Sequence, residues 1–203
     1  MLIQIHPANP DVRKIKQVVE CLLSGGVIVY PTDTIYGLGC SINHPQAIER
    51  ICRIKHIQPE KALLSFMCLD LSHLSEYTKS IDTPLYRFLK QYTPGPFTFI
   101  LLSSKKSPRI LRTRKDTVGI RVPDHSVCRA ILQEIDSPVL STSLPYDDDD
   151  IPFTDAEYIE ERFGKQVDLV IDAGPVGVIP STIVDCTHQP VEVIRQGEGI
   201  IDL

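Results

Sequence analysis

Hydroxyl and guanidinium side chains recur in this chain at the ends of apolar runs. The run at 27–30, "VIVY", leads into Thr32, Thr34 and Tyr36 within "PTDTIYGLGC". "PVL" leads into Ser141, Thr142 and Ser143, "TVGIR" ends on Arg121, and "PSTIVD" opens with Ser181 and Thr182. "VEVIR" ends on Arg195, two residues before Gly197. Arginine holds carboxylate or phosphate through paired charge-assisted hydrogen bonds. Hydroxyls orient a bound polar group, and glycine lets the backbone approach it closely. In open α/β sheets ligands bind beyond the strand ends. The set therefore reads as an anion-binding cleft, although a single Ser or Thr is more often a turn or cap residue than a ligand contact.

The elements that must position these groups alternate along the chain. "NPDVRKIKQVVECLLSGG" predicts a helix capped by Asn9, with Pro10 in its first turn and Gly25–Gly26 at its end. Residues 27–30 read as a buried strand and 45–55 as a second helix. Residues 62–68 read as a strand, and 70–77 and 82–92 as helical stretches. A Pro-Gly-Pro turn leads into a strand at 97–102. Residues 117–123 alternate as a strand, "HSVCRAILQEI" is helical, and 138–143 is a short strand. Thr154 with Glu157 forms a capping box for the next helix. "VDLVIDAG", "STIVDCT" and "VEVIRQG" close the chain as strands. The interleaving predicts one α/β domain over residues 1–203, with an open mixed sheet.

Composition narrows the classes. The chain has 203 residues, is 42% hydrophobic and 23% charged, and so can bury an ordinary core. No apolar run is long enough for a membrane span, and the N-terminus lacks the pattern of a signal peptide, so a cytoplasmic protein is expected. The six cysteines form no C-x-x-C pair and read as buried thiols, with no metal site. The net charge of −5 does not favour nucleic acid as a partner of the whole surface. Basic residues nevertheless cluster at 105–115 and in Arg50, Arg53, Lys55 and Lys61, against an acidic run at Asp147–Asp150. No P-loop, G-x-G-x-x-G or G-x-S-x-G pattern is present. His125, at a helix start, reads as structural.

Six blocks in order, "GGVIVYPTDTIYGLGC", "TPGPFTFIL", "TVGIRVPDH", "LSTS", "PSTIVD" and "VIRQGEG", resemble the YrdC/YciO family, whose active members are threonylcarbamoyl-AMP synthases. "AIERICRIKHI" and "FMCLDLSHLSEY" look closest to the YciO branch. The resemblance implies a twisted open α/β sheet with a large concave cavity. It implies a nucleotidyltransferase that makes threonylcarbamoyl-AMP and pyrophosphate from threonine, bicarbonate and ATP, with Mg2+ held by the phosphates, in tRNA modification. Carried over by position, Lys55 and Arg121 would be catalytic. Thr32, Ser141 and Ser181 would bind substrate, and Lys55, Thr117, Ser143 and Arg195 would bind nucleotide.

Departures from the pattern keep a second reading open. Active synthases carry "K-x-R-P", then "N-P-L" and a histidine, where this chain has "KHIQPEKALLSFM". The arginine position holds Ile57, the asparagine position Lys61 and, without gaps, the histidine position Phe66. The family's "S-x-N" becomes Ser143-Leu144-Pro145, and proline supplies neither an amide side chain nor a backbone donor. The alternative implied by the resemblance is a protein that binds double-stranded RNA or tRNA without efficient catalysis. Arg112, Arg114 and Lys115 would then be among its contacts.

Overall fold

The computed structural model describes residues 1–58, 62, 64–72, 74–105, 116–146 and 151–202. Its strands are β1 (Leu2–Gln4), β2 (Val27–Tyr30), β3 (Gly37–Ser41), β4 (Ser65–Met67), β5 (Phe97–Leu102), β6 (Thr117–Arg121), β7 (Val139–Ser143), β8 (Leu169–Asp172), β9 (Thr182–Asp185) and β10 (Glu192–Arg195). Its helices are α1 (Val12–Leu23), α2 (Pro45–Ile54), α3 (Leu74–Tyr77), α4 (Thr83–Gln91), α5 (Ser126–Ile135) and α6 (Ala156–Phe163). The strands form one mixed sheet in the order β1-β8-β2-β3-β7-β4-β6-β5-β9-β10. This is the mixed α/β sheet that the sequence predicts.

Register separates core from cleft. Pairing sets Val27, Cys40, Leu140, Phe66, Ile120, Phe99 and Val184 side by side across seven strands. None is more than 1% exposed. Helices α2, α3, α4 and α6 bury residues against this face, including Ile48, Ile51, Leu74, Leu89 and Ile159. One residue further along the same strands, the row reads Ile28, Gly39, Ser141, Ser65, Gly119 and Ile100. Successive side chains point to opposite faces of a sheet, so this row of small residues lies on the other side. Helices α1 and α5 cover that side only in part, with Ile15, Val18, Leu22, Val127 and Ile131 packed on Ile28, Tyr30, Met67, Val139 and Leu169. The centre of the face is left to a cavity.

Several local expectations shift. Asp11, not Asn9, caps α1, accepting from Arg13 N at 2.9 Å and Lys14 N at 3.1 Å. The helix gives way at Gly25, whose φ of +84° lies in the left-handed region that glycine tolerates. Asp155, not Thr154, caps α6, accepting from Tyr158 N at 2.8 Å. The aspartates win because they sit immediately before the first helical residue, where a short acceptor reaches the free amides. β4 is shorter than the predicted 62–68. β1 and β3 are strands that periodicity did not mark. All six cysteines are free, and five are buried. Among the described residues, no helix is long and apolar enough to cross a membrane.

The connection 173–181 links β8, second in the sheet, to β9, ninth. It passes over the loop after β2: Tyr36 Oη donates to Gly174 O at 3.3 Å, and a Cβ on Gly177 would lie 2.8 Å from Thr34 O.

Candidate functional site

A cavity of about 430 Å³ opens on the small-residue face. Its lining includes Thr32, Lys55, Thr117, Arg121, Ser141, Ser143, Ser181 and Arg195, which brings together all eight positions singled out for ligand binding. Strand spacing accounts for much of this. Ser141 and Ser143 are two apart on β7, and Thr117, Gly119 and Arg121 occupy alternate positions on β6, so each set shares a face.

Arg121 is 8% exposed at the end of β6. Its Nη2 donates to Asp33 Oδ1 at 2.6 Å and to Thr34 Oγ1 at 2.9 Å, both from the loop after β2. The pair is end-on: Asp33 Oδ2 and Arg121 Nε are buried without a partner among the described residues. Thr32 shapes the same loop. Its hydroxyl donates to Ile35 O at 2.7 Å and accepts from Thr34 N at 3.1 Å. Thr32 therefore lines the cavity with its hydroxyl already engaged in holding the turn.

Lys55 caps α2 at its C-terminus, and its Nζ donates to Ser143 O at 2.6 Å and lies 3.3 Å from Ser143 Oγ. Burial lowers its pKa from the ordinary value, because the ammonium loses hydration. On β10, Arg195 donates through Nη2 to Ser181 O at 2.7 Å. Burial lowers its pKa as well, although a guanidinium stays charged at any physiological pH. Ser181 Oγ pairs with Thr98 Oγ1 at 3.0 Å. Ser141 Oγ accepts from Tyr30 Oη at 2.6 Å.

Other lining residues escaped sequence reasoning: Ser65, Thr98 and Gly119. The i, i+2 rule applied outward from Arg121 marks Gly119, and a one-residue change of phase in β4 marks Ser65. Phe66, aligned with the family's histidine, is 1% exposed in the core and stacks on Tyr77 at 4.7 Å. It is thus no cavity substitution; Ser65 and Met67 face the cavity from β4. Ile57 does line the cavity, next to Lys55, whereas Pro145 is absent from the lining. Lys61, Arg112, Arg114, Lys115 and Asp147–Asp150 lie outside the described residues. His125 precedes α5 without a side-chain cap bond. Its Nδ1 is buried without a partner among the described residues, and desolvation lowers its pKa.

Among the described residues the cavity lining contains no carboxylate, and no cluster of His, Cys, Asp or Glu has the arrangement of a metal site. The donor set is one of hydroxyls and cations. It fits a divalent ion carried on phosphate oxygens and does not fit a protein-held one.

Comparison with known proteins places this architecture. The profile of the family described as "Sua5_yciO_yrdC: Telomere recombination" matches residues 20–197. The chain belongs to the Sua5/YciO/YrdC family. It is 44% identical over 196 residues to the Escherichia coli K12 protein named "Uncharacterized protein YciO", a match covering 96% of this chain and 94% of that one. The crystal structure of E. coli YciO aligns with a TM-score of 0.92 over 98% of this chain and 97% of its own. A threonylcarbamoyl-AMP synthase of Pseudoalteromonas translucida is 30% identical over 185 residues, covering 89% of this chain and 97% of the enzyme. The P. abyssi Sua5 structure complexed with L-threonine aligns with a TM-score of 0.87 at 26% identity. That match covers 97% of this chain and 57% of the longer Sua5 chain. The family and fold expected from the six sequence blocks are therefore established. The similarity to YciO extends through both chains.

Proposed function

We propose that this family member forms threonylcarbamoyl-AMP and pyrophosphate from L-threonine, bicarbonate and ATP, in the service of tRNA threonylcarbamoyladenosine modification. The observation that carries this reading is the convergence of Arg121, Lys55 and Arg195, with the serines between them, on one cavity. The threonine amine adds to bicarbonate with loss of water, giving a carbamate. A carbamate oxygen then attacks the α-phosphorus, a new P–O bond forms, and the bond to the bridging oxygen breaks to release pyrophosphate. Magnesium on the phosphates would neutralise part of their charge. The chain's own contribution is positioning and electrostatic complementarity.

In this reading Arg121 holds the threonine carboxylate. Its Nη2 is committed to Asp33 and Thr34 and its Nε is buried, which leaves the Nη1 donors for the ligand. Lys55 and Arg195 face the phosphates, while Ser143 and Thr117 lie beside the nucleotide. Ser141, Ser181 and the Thr32 turn complete the substrate side. Ile57 stands in the lining where the family's active pattern has arginine. It removes one phosphate contact, so turnover is slow.

The test is pyrophosphate release by the full chain at high enzyme concentration. Release that requires ATP, threonine and bicarbonate together is expected. Arg121→Ala should lower it by about a hundredfold or more, and Ile57→Arg should raise it about tenfold or more. No release above background, in the wild type and in Ile57→Arg alike, would sink the proposal.

A further inference from the structure

Tyr30 ends β2 outside the cavity lining, yet its hydroxyl reaches the wall. The residue is 3% exposed, and its ring lies across β3. A Cβ on Gly39 would come within 2.8 Å of Tyr30 Cε1, so glycine at this strand position makes room for the ring. From that slot, Tyr30 Oη donates to Ser141 Oγ at 2.6 Å, with both groups buried. Burial raises the phenol's pKa, so the donor keeps its proton at any working pH.

A hydroxyl has one proton and two acceptor sites. Tyr30 gives its proton to Ser141, and Ser141 still holds its own. Among the described residues no acceptor takes the Ser141 proton, although Ser141 is only 7% exposed and lines the cavity. Its register partner on β4 is Ser65, which also faces the cavity. On its other side, a Cβ on Gly37 would lie 3.3 Å from Ser141 Oγ, so nothing bulkier than glycine shields it from β3. We infer that Tyr30 is a positioning residue that fixes Ser141 as a hydrogen-bond donor into the cavity, selecting an anionic ligand oxygen there. A carboxylate, carbamate or phosphate oxygen takes the Ser141 proton; an ammonium can meet only the remaining acceptor site and leaves that proton unpaired. The inference rests on the reading of the cavity as a site for ATP and threonine.

Two measurements test it on the full chain. Proton NMR should show a slowly exchanging Tyr30 hydroxyl resonance, assigned by its loss in Tyr30→Phe. That resonance should shift or vanish in Ser141→Ala. Titration calorimetry with ATP and with L-threonine then compares wild type, both single variants and the double variant. For the ligand that meets Ser141, each single change should weaken binding about tenfold, the scale of a hydrogen bond to a charged acceptor. The double variant should be no weaker than Ser141→Ala, because Tyr30 acts only through Ser141. Unchanged affinity in Tyr30→Phe for both ligands, or losses that multiply in the double variant, would overturn the inference. If wild type binds neither ligand, the reading of the cavity fails. The resonance then decides alone: its persistence unshifted in Ser141→Ala would overturn the hydroxyl arrangement.

Discussion

Lys55 gives up hydration to bring its charge to the cavity, and among the described residues the oxygens that replace water on its ammonium are those of Ser143. Its folded pKa consequently lies below the ordinary 10.5. Between the folded and unfolded values the unfolded chain binds the extra proton, so this group's contribution to stability rises as pH climbs through that window. The charge available to a phosphate falls through the same window. ATP affinity measured from about pH 7 upward should therefore decline with a midpoint below the ordinary lysine range. Lys55→Arg should remove the decline, since guanidinium does not titrate there. A wild-type profile that stays flat through the range of an ordinary lysine would contradict the assignment. Arg121 differs in kind: its charge is balanced by Asp33 at 2.6 Å, so its selectivity rests on which donors remain.

At the scale of strands, the cavity exists because β4, β6 and β7 present small residues to one face and bulky ones to the other. Gly119 is the tightest point, since an added Cβ would sit 2.6 Å from Ser65 Oγ. Gly119→Ala should destabilise the protein by about 1–3 kcal/mol in chemical denaturation. Adding Ser65→Ala, which removes the opposing oxygen, should recover most of that loss; no recovery would show that the strain lies elsewhere.

The same strands show what was legible beforehand. "VIVY" is an evident buried strand, because every residue favours a pleated, packed surface. "GLGCS" is not: Gly37 and Gly39 are poor strand formers, and the Tyr30 ring that makes Gly39 necessary comes from the neighbouring strand. Six of the eight lining residues could be found because strand-end position and the ordered family blocks agree on them; Lys55, at the end of α2, and Thr117 rest on the resemblance alone. The hydrogen-bond partners of the eight could not be found. Arg121 meets Asp33 across a sequence separation of 88, and that contact depends on sheet order, which no local pattern encodes. Phe66, at the family's histidine position without gaps, falls in the core for a related reason, since a one-residue change of phase exchanges cavity and core.

For the molecule as a whole, the connection 173–181 is short for its task. From Asp172 to Thr182 there are ten Cα–Cα links, which reach at most about 36 Å. Seven strand spacings separate β8 from β9, or about 34 Å on a flat sheet. The span nearly exhausts that reach while the chain also touches Tyr36 and passes Thr34, so the strap has little slack, and the twist of the sheet that draws β8 and β9 closer relieves it. Val178 is 51% exposed, so removing it sacrifices little core. Deleting Val178 should nevertheless lower the denaturation midpoint clearly. Inserting a glycine beside it should cost well under 1 kcal/mol, about what loop entropy demands. Equal tolerance of both changes would mean that the strap has slack.

Sheet order also determines when the cavity can exist during synthesis. β1 waits for β8, since Leu2 pairs with Val170, and β5 gains its outer neighbour only when β9 is made. At roughly 5–20 residues per second, the first strand remains without its partner for on the order of ten seconds. Ser181 and Arg195, on the far wall, leave the ribosome later still. A nascent or prematurely terminated chain thus has the Thr32 turn and Arg121 but lacks the far wall, and under the proposed function ligand binding awaits translation through β10.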